Sequence, residues 1–212
     1  MPYASLVALV ALSLLGALAP QASAHGPRHQ VLSEETTVTP RRGAYANPPA
    51  PETLGGAFEL QAVDGSKVTE KSYPGQWKLV FFGYPSCREA CPTALDRLTL
   101  ALEKLGPQAE KVRPMFVDIS MERPDPKGVE TFVRNFHPSI VSLTGSRAQV
   151  FHMVRLFQIR REYGRRNGPT ETGPRIDHTT LFYLLDPDGR TRSYFHHGLT
   201  PDEMTESLRK FL

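Results

Sequence analysis

Cys87 and Cys91 are the two cysteines of the 212-residue chain, and a pair held four positions apart can do two kinds of chemistry. As thiolates they are soft ligands that select Cu(I) or zinc. As thiols they can close a disulfide or exchange one with a partner, provided the turn brings their Cα atoms within about 4.4–6.8 Å. A purely structural disulfide, or two buried thiols, is the third reading. Two sulfurs leave either metal under-coordinated, so an ion needs a third ligand from elsewhere, and histidine is the residue type that chemistry asks for. There are seven: His25, His29, His137, His152, His178, His196 and His197. His152 falls in a helical stretch beside apolar positions, and His137 precedes Pro138 at a helix end, so they read as packing and capping residues. His196 and His197 follow an edge-like strand and read as exposed. His178 lies between the Arg-rich loop Arg160 to Arg175 and the apolar run Leu181 to Leu185. Spacing alone does not carry it to the cysteines.

The elements around the pair are legible. Leu79-Val80-Phe81-Phe82-Gly83-Tyr84 is a continuous apolar run, as expected of a central strand buried on both faces. The cysteines follow it, at the carboxyl end of a strand, where open α/β sheets put their sites. Pro92 fits the first turn of the next helix, where its missing N–H costs nothing. Leu95, Leu98, Leu102 and Leu105 then recur at helical spacing until Gly106-Pro107 stops them. If the cysteine segment is itself helical, both sulfurs share one face, and the helix N-terminus favours thiolate over thiol.

Before this unit, Phe58 to Val63 alternates with period two and meets Asp64-Gly65, a hairpin signal, with Lys67-Val68-Thr69 returning. After it come a strand at Val112 to Ile119, a helix around Val129 to Phe136, a short strand at Ile140 to Leu143 and a helix over Ala148 to Phe157. Leu181 to Leu185 is a further apolar strand, turned by Asp186-Pro187-Asp188-Gly189 into a partner through Tyr194 and Phe195. A last helix starts at Thr200, with Pro201 first and Glu203 in the capping-box position, and runs to Leu212. Strands alternating with helices predict an α/β three-layer sandwich with a mixed sheet and an N-terminal β-hairpin.

Composition sets the outer limits. A hydrophobic share of 40% with 22% charged residues fits one ordinary globular domain and excludes a wholly disordered or multi-spanning chain. A formal charge of +3 is too small to imply nucleic-acid binding. Leu6 to Leu18 has the length of a signal-peptide core and precedes an A-x-A site at Ala22-Ser23-Ala24, so residues 1–24 read as an export signal. An uncleaved anchor is the alternative, although the apolar run is short for a span and is broken by Gly16 and Pro20. Residues 25–52, rich in Pro, Arg, Thr and Ala, read as a flexible tether, which leaves 53–212 as the domain. The expected setting is the bacterial periplasm, with membrane association only if the leader stays attached.

These residues together resemble the SCO/SenC family of copper-binding thioredoxin-fold proteins. The likeness is carried by Phe81-Phe82-Gly83-Tyr84-Pro85-Ser86-Cys87-Arg88-Glu89-Ala90-Cys91-Pro92-Thr93, by Leu143-Thr144-Gly145, and by Asp177-His178-Thr179 followed by Asp186-Pro187-Asp188-Gly189-Arg190. It runs in order from about Phe58 to Leu212. The resemblance implies a thioredoxin-like fold and copper ligation by Cys87, Cys91 and His178, as Cu(I) and also Cu(II). It further implies a role in maturing the dinuclear copper site of cytochrome c oxidase, with that oxidase's copper-receiving subunit or another periplasmic copper protein as partner. Two departures stand out. Where the family commonly has Pro-Asp-Val between its cysteines this chain has Arg88-Glu89-Ala90, and a cation there favours thiolates but opposes a copper ion. Where the family usually reads V-D-P-E-R-D-T-P this chain has Ile119-Ser120-Met121-Glu122-Arg123-Pro124-Asp125-Pro126, losing the first Asp.

Three functions follow as expectations. The first is a metallochaperone that carries copper as cargo. The second is a thiol–disulfide oxidoreductase using Cys87 and Cys91, against which stands a three-residue spacer where the redox motif has two. The third is an interaction module that keeps the fold and an inert disulfide. In all three the basic stretch Arg160, Arg161, Arg165, Arg166 and Arg175 reads as a solvated loop that leaves His178 mobile, or as a patch that steers an acidic partner.

Overall fold

A computed structural model describes residues 49–121, 125–163 and 176–212. The leader at 1–24, most of the tether and Arg165, Arg166 and Arg175 of the basic stretch lie outside the described residues. Among those described, no helix is long and apolar enough to cross a membrane.

Nine strands and four α-helices make up the described structure. The strands are β1 (Glu59–Ala62), β2 (Lys67–Thr69), β3 (Trp77–Gly83), β4 (Val112–Asp118), β5 (Val141–Thr144), β6 (Arg161–Tyr163), β7 (Ile176–His178), β8 (Leu181–Leu185) and β9 (Thr191–His196). The helices are α1 (Ala90–Leu105), α2 (Pro126–Arg134), α3 (Arg147–Leu156) and α4 (Pro201–Arg209). Seven strands form one mixed sheet in the order β2-β1-β5-β4-β3-β8-β9. β3, β4 and β5 run parallel, while the β1–β2 hairpin and the β8–β9 hairpin extend the sheet antiparallel at its two sides.

Alternation along the strands builds the two cores. Leu79, Phe81, Phe116, Phe182 and Leu184 face one side, where α1, α2 and α4 pack with Leu95, Leu98, Leu102, Val129, Val133, Met204 and Leu208. Val80, Phe82, Met115, Val117, Tyr183 and Leu185 face the other, covered by Val150 and Met153 of α3 and by Leu54 and Phe58. This is the expected three-layer sandwich, and its apolar burial is the dominant favourable term in its folding.

The helix ends follow their local chemistry. Ser146 and Gln149 make a capping box at α3, as Thr200 and Glu203 do at α4, which satisfies amide donors that a first turn leaves unpaired. Asp125 accepts from the Gly128 amide to cap α2, with Pro126 first in the helix. α4 stops at Arg209 rather than running to Leu212, because Phe211 turns back onto Trp77 with ring centroids 5.5 Å apart. β3 begins earlier than the apolar run suggested and takes in Lys78, which is buried. Its ammonium donates to the Pro187 carbonyl at 2.7 Å. Burial lowers its pKa, opposed by the negative charges of Asp186, Asp188 and Glu70.

A second sheet was not foreseen. β6 and β7 form a separate two-stranded antiparallel ribbon, with Arg161 opposite His178. Arg161 and His178 are therefore strand residues, not members of a solvated loop.

Candidate metal centre

The site forms where β3 ends and α1 begins. The chain turns after Gly83, with the Cys87 amide donating to the Tyr84 carbonyl at 3.1 Å. Gly83 is required there: a Cβ on it would lie 2.9 Å from Cys91 Sγ and 2.7 Å from Phe116. Cys87 precedes the helix and Cys91 lies in its first turn. The sulfurs therefore do not meet by sharing a helical face. The residue at the helix cap position, Glu89, makes no side-chain cap hydrogen bond. Instead Cys87 Sγ accepts the Cys91 amide at 3.3 Å. A cysteine sulfur does the work that Ser or Asp does at other helix starts, in the place where helix amides and dipole favour a negative charge.

The pair is asymmetric. Cys87 is half-buried and Cys91 fully buried, and both are free thiols. Hydrogen bonding from the Cys91 side chain, with further bonds from His178 and the Cys91 and Glu89 amides, outweighs burial and lowers the Cys87 pKa to about 4. Cys91 moves the other way, raised by its hydrogen bond to Cys87, by burial, and by the negative charges of Cys87 and Asp118. The pair thus shares one proton, with negative charge favoured on the outer sulfur.

His178 completes the group. Its Nε2 lies 3.9 Å from Cys91 Sγ, while its Nδ1 is 2.8 Å from the Thr179 carbonyl. A carbonyl can only accept, so Nδ1 carries a proton, and Nε2 is the ring nitrogen that faces the sulfurs. Tyr84 braces the ring edge-on, with centroids 5.8 Å apart, and its hydroxyl accepts the Ile176 amide at 3.1 Å, tying β7 to the cysteine turn.

Among the described residues no three His, Cys, Asp or Glu side chains stand in a ready-closed metal cluster. The donor set nonetheless fits a soft ion. A thiolate and an imidazole sharing one ion, with bonds of about 2.3 and 2.0–2.1 Å, stand about 3.6–3.8 Å apart. The separation of 3.9 Å is within a few tenths of that, and Cys87 has only to turn from the helix amide to join.

The other histidines go elsewhere. His152 is exposed and bonds the Ala57 carbonyl at 2.9 Å. His137 pairs with Ser139 after α2. His196 and His197 are half-buried rather than exposed, and His197 Nδ1 donates to the Thr180 carbonyl at 3.1 Å. His25 and His29 lie outside the described residues. Arg88, between the cysteines, is exposed. The Asp expected near Ser120 is lost from the motif, yet Asp118, two residues earlier, is a buried carboxylate whose charge reaches Cys91. It accepts both the amide and the hydroxyl of Ser120 at 2.9 Å. An acid closing an otherwise apolar strand at its carboxyl end was the signal that could have identified it.

A mixed sheet between helical layers, with two cysteines at a strand-to-helix turn and an imidazole against them, defines a thioredoxin-like protein with a dithiol–imidazole site. Residues 46–212 match the SCO1/SenC family, and the chain belongs to it. The human mitochondrial protein SCO1 homolog is 30% identical over 157 residues, 73% of this chain and 52% of the relative. This chain therefore spans about half the length of that relative. A SCO2-like protein of Rickettsia prowazekii is 29% identical over 185 residues, 87% of this chain and 89% of the relative. The copper-bound structure of Bradyrhizobium japonicum ScoI superposes with a TM-score of 0.66 at 32% identity, covering 75% of this chain and 99% of that one.

Proposed function

We propose that this chain carries copper as cargo and hands it to the copper-receiving subunit of cytochrome c oxidase during assembly of the dinuclear copper site. Cys87, Cys91 and His178 hold Cu(I) in trigonal fashion and also accommodate Cu(II). The observation that carries this reading is the convergence of two sulfurs and an imidazole whose tautomer is already fixed for ligation. The copper-bound relative supports it. The site chemistry supports delivery as well as binding, because three ligands leave an ion open to attack by an acceptor's thiolates. Residues 1–24 direct export to the periplasm, with membrane anchoring if they are retained, and residues 25–52 tether the domain 53–212.

The test is a copper titration of the reduced protein in native, Cys87→Ser and His178→Ala forms. One copper per chain is expected for the native protein, with weakened binding in both variants. Undiminished affinity in His178→Ala would remove the histidine from the site.

A second reading is favoured by one observation, a half-buried Cys87 at the helix start beside a fully buried Cys91, with the Cys87 pKa lowered and that of Cys91 raised. That is the arrangement of an attacking and a resolving thiol. The Cys87 thiolate attacks a partner disulfide and releases one partner thiolate; Cys91, after losing its proton, then displaces the second and closes the Cys87–Cys91 bond. Trapping of a mixed disulfide by the Cys91→Ser variant supports this role, and failure of the native protein to reduce the oxidised copper-site cysteines of the acceptor counts against it.

A further inference from the structure

The ribbon that carries His178 stands outside the main sheet, and something must hold it against the cysteines. Two backbone ties and one side chain are visible around its base. The Thr179 amide donates to the Arg160 carbonyl at 3.0 Å, and the Ile176 amide donates to Tyr84 Oη at 3.1 Å. Arg161 makes the third connection. Its Nε donates to the Ile119 carbonyl and its Nη2 to the Ser120 carbonyl, each at 2.9 Å, and Nη2 also donates to the Tyr163 hydroxyl at 3.1 Å. Its guanidinium lies 4.7 Å from the Tyr163 ring centroid.

Two features make this connection specific to the site. Arg161 is directly opposite His178 in the ribbon register, so the two side chains leave the same face as nearest cross-strand neighbours. Ile119, which receives one arm of the guanidinium, donates its own amide to the Gly83 carbonyl at 2.9 Å. Gly83 in turn is the residue that lets Cys91 Sγ approach the sheet. A continuous path therefore runs from Cys91 through Gly83 and Ile119 to Arg161 and across the ribbon to His178.

We infer that Arg161 is a positioning residue for His178, its planar fork clamping the histidine-bearing ribbon to the two carbonyls that follow β4. Its carbonyl and Tyr163 contacts act on the site through the ribbon that bears His178. A guanidinium meets two adjacent carbonyls at once, whereas an ammonium is a single point charge on a flexible stem. The clamp is seated on backbone carbonyls of Ile119 and Ser120, so it does not depend on which side chains stand there. The inference rests on His178 being a copper ligand, as proposed above, for its functional consequence, but not for its structural one.

The test uses the full chain with Arg161→Met and Arg161→Lys. In the reduced, metal-free protein, NMR of the His178 imidazole reads the clamp directly. The native ring is expected to give one sharp set of signals with Nδ1 protonated, Arg161→Met broadened or doubled signals, and Arg161→Lys an intermediate pattern. On copper loading, affinity falls about tenfold or more in Arg161→Met, the lower end of the loss typical for residues that orient a metal ligand, with partial rescue by Arg161→Lys. Hydrogen exchange in α1 stays at the native rate, because that helix is held by the apolar core rather than by the clamp. Unchanged His178 signals in Arg161→Met would overturn the inference. So would a Lys variant no better than Met, or faster exchange in α1 together with the change in the His178 signals. If the native protein bound no copper, the copper reading would fall, and the metal-free imidazole signals would still decide the role of Arg161.

Discussion

Cys91 sits in the first turn of a sixteen-residue helix whose apolar face is sealed against the central sheet, whereas His178 ends a three-residue strand in a ribbon outside that sheet. Cys91 is fully buried and belongs to the same core cluster as Leu95, Phe81 and Phe116. His178 is half-buried and is held by its Thr179 carbonyl, the edge of Tyr84 and the polar ties at the ribbon base. The thiol half is thus positioned by packing, which fixes side chains to native density and yields little. The imidazole half is positioned by a few hydrogen bonds, each worth about 1 kcal/mol net. On the copper-carrier reading proposed above, that division would suit the role: the buried Cys91 stays fixed, while the half-buried Cys87 and His178 are the members free to move as an ion arrives or leaves.

The comparison is broken most directly by removing a ligand from each half. Cys91→Ala is expected to weaken Cu(I) binding by well over the 10–100-fold typical of a lost outer partner, and His178→Ala by about that range. Competition against a chromogenic Cu(I) chelator measures both. Equal losses would show that the imidazole contributes as much to holding the ion as the buried sulfur does.

The next effect comes from Gly83→Ala. Its Cβ would press on Cys91 Sγ and Phe116, and overpacking of this kind costs about 1–3 kcal/mol. Denaturant unfolding should show the loss, with weakened copper binding alongside it. An unchanged midpoint would show that the turn has room to yield.

Tyr84→Phe tests the other half more gently. It leaves the ring against His178 but removes the acceptor of the Ile176 amide. A loss of about 1 kcal/mol is expected, and hydrogen exchange should locate it in β7 rather than in α1. Equal acceleration in both elements would contradict a separately held ribbon.

A pH dependence probes the thiol pair itself, where the lowered Cys87 pKa is opposed by the raised one of Cys91. Cys87 in the folded protein has its pKa lowered to about 4, below the ordinary thiol value of about 8.5. The unfolded chain therefore binds the extra proton between those values. The stabilisation from the ionised thiolate is present above about 8.5 and is lost as pH falls through about 4. Iodoacetamide at pH 6 should modify Cys87 and spare Cys91, as read by peptide mass. Equal modification of the two would remove the asymmetry.

The same division explains how much could be read in the sequence. The run from Leu79 to Tyr84, the helical spacing of Leu95, Leu98, Leu102 and Leu105, the Thr200/Glu203 box and the Asp186-Pro187-Asp188-Gly189 turn are long or chemically distinctive signals, and each became the element expected. The setting of the cysteines after a buried strand was legible for that reason, although their meeting through a sulfur-capped helix start was not. Arg161–Tyr163 and Ile176–His178 are three residues each, polar and distant in sequence. No period can be read from three residues, so β6 and β7 were taken for loop, and the third member of the site came only from family likeness. Asp118 is hard to read in sequence because it stands two residues before the position where the family motif carries its acid, at the end of a strand that is otherwise mostly apolar.

Cys87, Cys91 and His178 are proposed to act as one copper site. X-ray absorption on the Cu(I)-loaded protein and its His178→Ala variant tests it most directly. The native protein should show two sulfur ligands and one imidazole nitrogen, and the variant should lose the imidazole scattering while keeping both sulfurs. Imidazole scattering retained in the variant, or absent from the native protein, would contradict the claim.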